Sequence, residues 1–234
     1  MKNLSIIMPV YNEGEVIAYV LEDWLKALRQ LNINFEICVY NDGSRDNTLN
    51  EINEVALNNN EIKVFDKTNS GHGSTILSAY LESSSKWIFQ TDSDNEIKSN
   101  EFYQLWNKRN DNDFIIGIRT NRNSPLSRKI ISFFSRLTIQ ILYGKGVVDV
   151  NCPYRLFRNE KFAKSLNKMS KDTIAPNVII SGIACLHNMK IVQIPVEFKP
   201  RSTGEVSIQK WKLIKVAIQS WLQTVGFRIK IFMN

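Results

Sequence analysis

Cysteine, histidine and phosphate-loop glycines are scarce in this sequence, and each shortage narrows its function. The three cysteines, Cys38, Cys152 and Cys185, lie far apart and form no CxxC pair. That argues against a disulfide framework or a zinc site and fits a reducing compartment. His72 and His187 lack the spacing of metal ligands and read as loop or core histidines. There is no P-loop, and Gly71-His72-Gly73 is a GxG without the third glycine of a dinucleotide fingerprint. No apolar stretch reaches the roughly 20 residues needed to span a bilayer. The nearest, 213–233, is broken by Lys215, Gln219, Gln223, Arg228 and Lys230. The opening MKNLSIIMPVYNEGE is too short in apolar residues for a secretory signal and reads as a first core strand.

What is present is ordinary in amount and uneven in arrangement. The 234 residues, 43% hydrophobic and 23% charged, suit one domain or one with an appendage. The net charge is +7, but residues 1–117 hold 10 Lys+Arg against 18 Asp+Glu, net −8. Residues 118–234 hold 20 against 5, net +15. An acidic half followed by a basic half suggests a metal site and an anion site in one molecule.

The first half alternates short apolar runs with helical patterns. Strands are predicted at Leu4–Met8, Phe35–Tyr40, Ile62–Phe65 and Trp87–Thr91, with another at Phe114–Ile118 and a late one at Ile191–Phe198. Between them fall a helical stripe (Val16, Val20, Trp24, Ala27, Leu31) with acids in its first turn, and helices over 47–57 and Ser74–Glu82. Such alternation implies βαβ units and a mostly parallel sheet. Ligands bind such sheets outside the carboxyl ends of the strands. That rule selects the loops Pro9–Gly14, Asn41–Asn47 and Asp92–Glu96, all rich in Asp, Asn and Glu. In the second half, Leu126, Ile130, Phe133, Leu137 and Ile141 form a helical stripe that starts after Ser124-Pro125. A last segment, from about Ile208, sets Trp211, Ile214, Ile218, Trp221, Val225 and Ile229 on one face and Gln209, Lys212, Gln219 and Gln223 on the other. This stripe is either core packing or a helix lying on anionic lipid, with Arg228 and Lys230 at the headgroups.

Thr91-Asp92-Ser93-Asp94-Asn95-Glu96 is the sharpest feature. If the strand persists, Asp92 and Asp94 point the same way and repel unless a cation sits between them. Oxygen-only ligands suit Mg²⁺ or Mn²⁺ bridging to a diphosphate, although a bare DxD also suits a solvated acidic turn. Asp42 in Tyr40-Asn41-Asp42-Gly43-Ser44 is explained alone by turn chemistry, and Glu13 in Pro9-Val10-Tyr11-Asn12-Glu13-Gly14 by a helix entry.

Together and in this order, the three loops resemble the family-two inverting glycosyltransferases, which carry a PxYNE turn, a DDGS-like turn and a DxD. The closest subfamily is that of dolichol-phosphate mannose synthase and the polyprenyl-phosphate glycosyltransferases. Asn69-Ser70-Gly71-His72-Gly73 looks like their NxGxG loop and Gly117-Ile118-Arg119 like their GxR. Asp149–Arg155 stands where many have D-x-x-x-G-F-R, and Arg201–Ser207 where they have R-x-x-G-x-S. The resemblance covers about residues 4–210. It departs at Asn41, which replaces the first acid of the DDGS-like turn, at Pro153 for glycine, and at Val206, an extra residue before Ser207. Glu96 stands where glutamine is frequent and would be a third metal ligand beside Asp92 and Asp94.

The resemblance implies a GT-A fold, α/β, with a Rossmann-like mostly parallel sheet flanked by helices. It divides the chain into a glycosyltransferase domain at 1–207 and a C-terminal amphipathic, membrane-interfacial segment at 208–234. Within the domain, residues 1–117 would form the nucleotide-sugar half and 118–207 the acceptor half. Pro9, Tyr11, Asn12, Glu13, Asp42, Gly71 and Asp92 would hold a UDP- or GDP-sugar, UDP being slightly preferred, and Asp94 would bind the metal directly. The acceptor would be a polyprenyl phosphate at the cytoplasmic face of the membrane, held by Arg119, Arg128, Arg155, Arg201 and Ser207. A phosphate needs no general base, but two unit charges 4 Å apart repel by about 4 kcal/mol at an effective dielectric near 20. Arginine forks offset that repulsion. A saccharide-hydroxyl acceptor, as in cell-surface glycan assembly, would instead need a base, and Asp149 is the acid available. A basic scaffold or RNA-binding protein would leave the acidic loops unexplained, so nucleic acid is not expected as a partner.

Overall fold

Short apolar runs pair into one seven-stranded sheet in the computed structural model, which describes residues 2–120, 125–199 and 210–233. The strands are β1 (Leu4–Val10), β2 (Phe35–Asn41), β3 (Ile62–Asp66), β4 (Trp87–Gln90), β5 (Phe114–Thr120), β6 (Arg155–Arg158) and β7 (Ile191–Glu197). Their order is β3-β2-β1-β4-β6-β5-β7. Every residue of β1 is buried, as expected of a central parallel strand covered on both faces. β2 and β4 both run parallel to β1, so the carboxyl ends of all three strands lie side by side. The three acidic loops therefore share one edge of the sheet. β6 departs from the predicted pattern: it enters antiparallel between β4 and β5.

Eight α-helices are described: α1 (Ile17–Arg29), α2 (Thr48–Leu57), α3 (His72–Glu82), α4 (Phe102–Asn107), α5 (Leu126–Leu142), α6 (Asn159–Leu166), α7 (Pro176–Leu186) and α8 (Lys210–Phe232). α1 begins later than its stripe suggested, so its first turn holds no acid. The Glu13 carbonyl instead accepts the N–H groups of Val16 and Ile17 as the chain enters the helix. Trp24 of α1 packs on Phe89 and Phe102 with centroids 5.5 and 5.7 Å apart, and Phe89 meets Tyr154 at 4.7 Å. This cluster backs the DxD loop with rigid aromatic packing.

The two apolar stripes of the second half face outward. On α5, Phe133 and Ile141 are 62% and 71% exposed, and Leu126, Ile130 and Leu137 are also exposed. On α8 the exposed residues include Ile214, Ile218, Trp221 and Ile229, while Thr224 and Phe227 are buried. Of the two alternatives for the α8 stripe, core packing does not fit its described residues, because α8 is fastened through its polar side. Gln223 Oε1 accepts the Ile174 N–H (2.8 Å), and Arg228 Nε donates to the Leu142 carbonyl (2.7 Å). The Thr224 carbonyl accepts from the Tyr143 hydroxyl at 2.7 Å. Trp211 and Lys212 have no described side chain, and Gln209 lies outside the described residues. No described helix is long and apolar enough to cross a membrane.

The second glycine of the incomplete GxG has a steric purpose. A Cβ on Gly73 would lie 2.1 Å from the Ile174 carbonyl oxygen and 2.5 Å from that of Thr173. Only glycine lets the first turn of α3 approach this backbone. Gly73→Ala is therefore expected to destabilise the protein by about 1–3 kcal/mol, as overpacking does. At this chain length that lowers the melting temperature by roughly 2–4 °C per kcal/mol. Gly226→Ala on α8 meets open space and should leave the melting temperature unchanged or raise it, a helical alanine being favoured by up to about 1 kcal/mol. Calorimetry of both variants checks the contrast.

Candidate active site

The first two loops are sewn together by short polar side chains. Asn12, in the left-handed region (φ 54°), donates its N–H to Ser44 Oγ (3.0 Å) and accepts the Arg45 N–H on Oδ1 (2.8 Å). Glu13 N–H reaches Thr48 Oγ1 (2.8 Å) and Gly14 N–H reaches Asp46 Oδ2 (3.1 Å). Tyr11 stands exposed beside them. Pro9, in contrast, is buried within β1 and paired with Tyr40, so it shapes the strand end without reaching the surface.

Asp42 turns inward. Its Oδ1 accepts from Lys67 Nζ (2.7 Å) and the Ser70 N–H (2.9 Å), and its Oδ2 accepts the Gly71 N–H (2.9 Å). The residue is 4% exposed. Burial alone would raise this carboxyl, but the Lys67, Ser70 and Thr75 bonds outweigh it and hold the group below the usual carboxylate range. In this geometry Asp42 and Gly71 brace the loop after β3.

The DxD follows β4. Asp92 Oδ1 accepts from Gln90 Nε2 (3.0 Å) and lies 3.7 Å from His72 Nε2. Asp94 Oδ1 accepts the Glu96 N–H (3.1 Å) across Asn95, whose φ is 57°. Asp92, Asp94, Glu96 and Arg119 line one small cavity. Among the described residues, however, no three Asp, Glu, His or Cys side chains gather as a ready-made metal cluster. Glu96 therefore does not complete a three-carboxylate set. The donors fit a cation that takes one or two carboxylates and fills its shell with phosphate oxygens and water, as Mg²⁺ and Mn²⁺ do.

Arg119 faces these acids from the end of β5. Its Nε and Nη2 donate to Asp149 Oδ2 and Oδ1, both at 2.8 Å, with the two side chains 9% and 14% exposed. Burial would lower the guanidinium pKa, but the Asp149 carboxylate more than offsets this and raises it. Arg119 and Asp92 also line a second cavity of about 280 Å³. Its other walls include His72, Ile131 of α5, Val178 of α7 and Val216 of α8. Arg128 is exposed on α5, three and seven residues before the lining residues Ile131 and Ser135, hence on the same helical face.

Arg155 does not join the site. It is fully buried, with Nε donating to the Cys152 carbonyl (2.9 Å) and Nη1 to the Asn177 carbonyl (2.7 Å). Its guanidinium ties backbone turns together and is out of reach of a phosphate. Arg201, Ser207 and Val206 lie outside the described residues. Lys67, Gln90 and Asn177 escaped the sequence reading, and His72, read there as a loop or core histidine, lines the larger cavity. The signal for His72 was its place directly after Gly71, where a helix begins.

Deleting one partner of a buried carboxylate leaves it uncompensated, so Lys67→Met is expected to lower stability by about 1–3 kcal/mol, discounted for the partial exposure of Lys67. Because Asp42 titrates lower in the folded protein than in the unfolded chain, its contribution is full above the unfolded value. It is lost as pH falls through the folded one. Melting curves of wild type and Lys67→Met should accordingly converge as pH drops below about 4.

The chain matches the model of glycosyl transferase family 2 over residues 5–166. It is 27% identical over 234 residues to undecaprenyl-phosphate 4-deoxy-4-formamido-L-arabinose transferase of Pectobacterium carotovorum subsp. carotovorum (strain PC1). That match covers 98% of this chain and 70% of the relative. The transferase of the same name from Pectobacterium atrosepticum is 26% identical. Glucosyl-3-phosphoglycerate synthase from Mycobacterium tuberculosis, in complex with phosphoglyceric acid, superposes with a TM-score of 0.70 at 13% identity. The superposition covers 97% of this chain and 80% of the synthase. A further structure of that synthase contains Mn²⁺, UDP and glucosyl-3-phosphoglycerate and gives 0.68. The sheet with its flanking helices is thus the GT-A architecture, and the chain belongs to glycosyl transferase family 2.

Proposed function

We propose that the protein transfers a sugar, with inversion, from a nucleoside diphosphate donor to a polyprenyl phosphate at the cytoplasmic face of a membrane. The observation that carries this reading is the cavity of about 280 Å³, whose lining combines Asp92 and Arg119 with apolar side chains from α5, α7 and α8. A charged head and an apolar tail on one molecule match such a cavity. The Pectobacterium relatives, which by name act on undecaprenyl phosphate, support the same acceptor class.

Tyr11, Asn12 and Glu13 border the donor's nucleoside in this reading, with UDP favoured by the UDP in the Mycobacterium synthase. Asp92 and Asp94 hold the cation, Mg²⁺ or Mn²⁺, which when bound neutralises the departing diphosphate as a Lewis acid. Arg119 draws the acceptor phosphate against the repulsion of the donor, joined by Arg128 from α5 and by Arg201 and Ser207 from the segment after β7. The phosphate oxygen attacks the anomeric carbon opposite the departing diphosphate, so the configuration inverts. It is already ionised and gives up no proton. The saccharide-hydroxyl alternative is disfavoured by Asp149, the base it needs, because both oxygens of Asp149 accept from Arg119.

The outward stripes of α5 and α8 support docking on anionic lipid. Residues 125–148 and 210–233 contain no Asp or Glu, and Arg128, Lys129, Arg136, Lys215 and Lys230 are exposed. Trp221 Nε1 donates to Thr138 Oγ1 (3.1 Å), fixing the two helices side by side. Apolar area plus basic charge is what binds an interfacial helix.

Incubation with UDP- and GDP-sugars, Mn²⁺ and a short polyprenyl phosphate should yield a glycolipid, and Asp94→Ala should abolish it. No glycolipid from any donor would exclude the reading. In vesicle flotation, Phe133→Asp with Ile218→Asp is expected to release the protein from anionic vesicles. Binding that survives both charges would remove α5 and α8 from the membrane face.

A further inference from the structure

A line of buried polar side chains runs from the interior to the first acid of the DxD. Gln90 is the last residue of β4 and has no exposed surface. Its Nε2 donates to Asp92 Oδ1 (3.0 Å), and its Oε1 accepts from Asn177 Nδ2 (2.9 Å). Asn177 Oδ1 accepts in turn from the Tyr80 hydroxyl (3.0 Å). Tyr80 is 1% and Asn177 5% exposed. The middle of the line is anchored through its backbone, since the Asn177 carbonyl accepts from buried Arg155.

The chain has a direction. Tyr80 donates to Asn177, Asn177 to Gln90, and Gln90 to Asp92, so each amide uses its acceptor end inward and its donor end toward the DxD. Aligned hydrogen bonds in a low-dielectric interior polarise and strengthen one another. Buried polar groups must also be satisfied, and apolar side chains of similar size would fill this space without that demand. The arrangement therefore has a beneficiary outside the core, and the group at its open end is Asp92.

We propose that Tyr80, Asn177 and Gln90 form a positioning relay that fixes the orientation of the Asp92 carboxylate toward the metal. This rests on the reading of Asp92 as part of that site. None of the three residues is a catalytic residue; each acts through the next. Outer partners of a ligating carboxylate are typically worth 10–100-fold in metal affinity.

The variants Gln90→Leu and Asn177→Asp separate this role from a structural one. Asn177→Asp keeps the acceptor for Tyr80 but has no N–H for Gln90, so the Gln90 amide reverses and turns its carbonyl oxygen toward Asp92. Calorimetric titration of the full chain with UDP and with GDP, each with and without Mn²⁺, is the readout. The relay predicts that both variants weaken Mn²⁺-dependent nucleotide binding by about 10–100-fold and leave metal-free binding within about twofold. It predicts further that the double variant is no weaker than the weaker single one, as for residues acting in series. Mn²⁺-dependent binding within about twofold of wild type in either variant would overturn it. So would a parallel fall in metal-free binding, which marks general disruption of the fold. If wild type itself shows no Mn²⁺-dependent binding of either nucleotide, the assignment of Asp92 and Asp94 to a metal fails instead.

Discussion

Arg119 lines both the small cavity of Asp92, Asp94 and Glu96 and the larger one walled by α5, α7 and α8, and its paired bonds to Asp149 hold it there. A guanidinium this buried is costly to leave without a counter-charge, and Asp149 compensates it with ideal fork geometry. The pair ties the end of β5 to the turn before Cys152, and Pro153 beside it lines both cavities. With the cation so anchored, the acids after β4 face a fixed positive charge rather than a mobile surface arginine. The antiparallel entry of β6 serves the same end. It places β5 two strands from β4, so Arg119 looks across at the DxD from a separate wall.

The division of charge acquires a more detailed meaning from this geometry. Part of the acidic half is internal bracing: Asp42 fastens Lys67 and the loop after β3, and Asp46 joins the entries of α1 and α2. Part of the basic half is likewise internal, as Arg155 shows. Carboxylates of the three loops remain at one sheet edge, and exposed lysines and arginines accompany the apolar faces of α5 and α8. That pattern suits a metal-bound diphosphate meeting a lipid-borne anion.

Much of the fold was legible because parallel strands carry strong apolar runs with turn residues after them. β1, β2, β4 and the acidic loops at their ends follow directly from that pattern. The short helices α4 and α6 went unpredicted, and β6 and α7 stayed hidden for opposite reasons. β6 is four residues long and bounded by Arg155 and Arg158, charges that suggest a surface although Arg155 is buried. α7 is buried on nearly every side, so Pro176–Leu186 carries apolar residues all round, interrupted only by Asn177, Ser181 and Gly182, and shows no amphipathic stripe. The stripes of α5 and α8 were read correctly as stripes, but periodicity cannot say which face a helix buries. Here small and polar side chains such as Thr224 and Gln223 face the protein. In the site, residue types located the DxD and Arg119. They could not reveal that Asp42 is consumed by its own loop, or that Gln90 and Asn177 stand behind Asp92, because those contacts join segments up to 87 residues apart.

In the proposed reaction an already ionised phosphate, drawn in by Arg119, takes the place of the general base that a hydroxyl acceptor would require. The most direct measurement offers the enzyme one nucleotide-sugar donor with two acceptors of the same chain length, a polyprenyl phosphate and the corresponding polyprenyl alcohol. Transfer to the phosphate and none to the alcohol is the expected result. Transfer to the alcohol, or to a saccharide while the phosphate stays untouched, would contradict it.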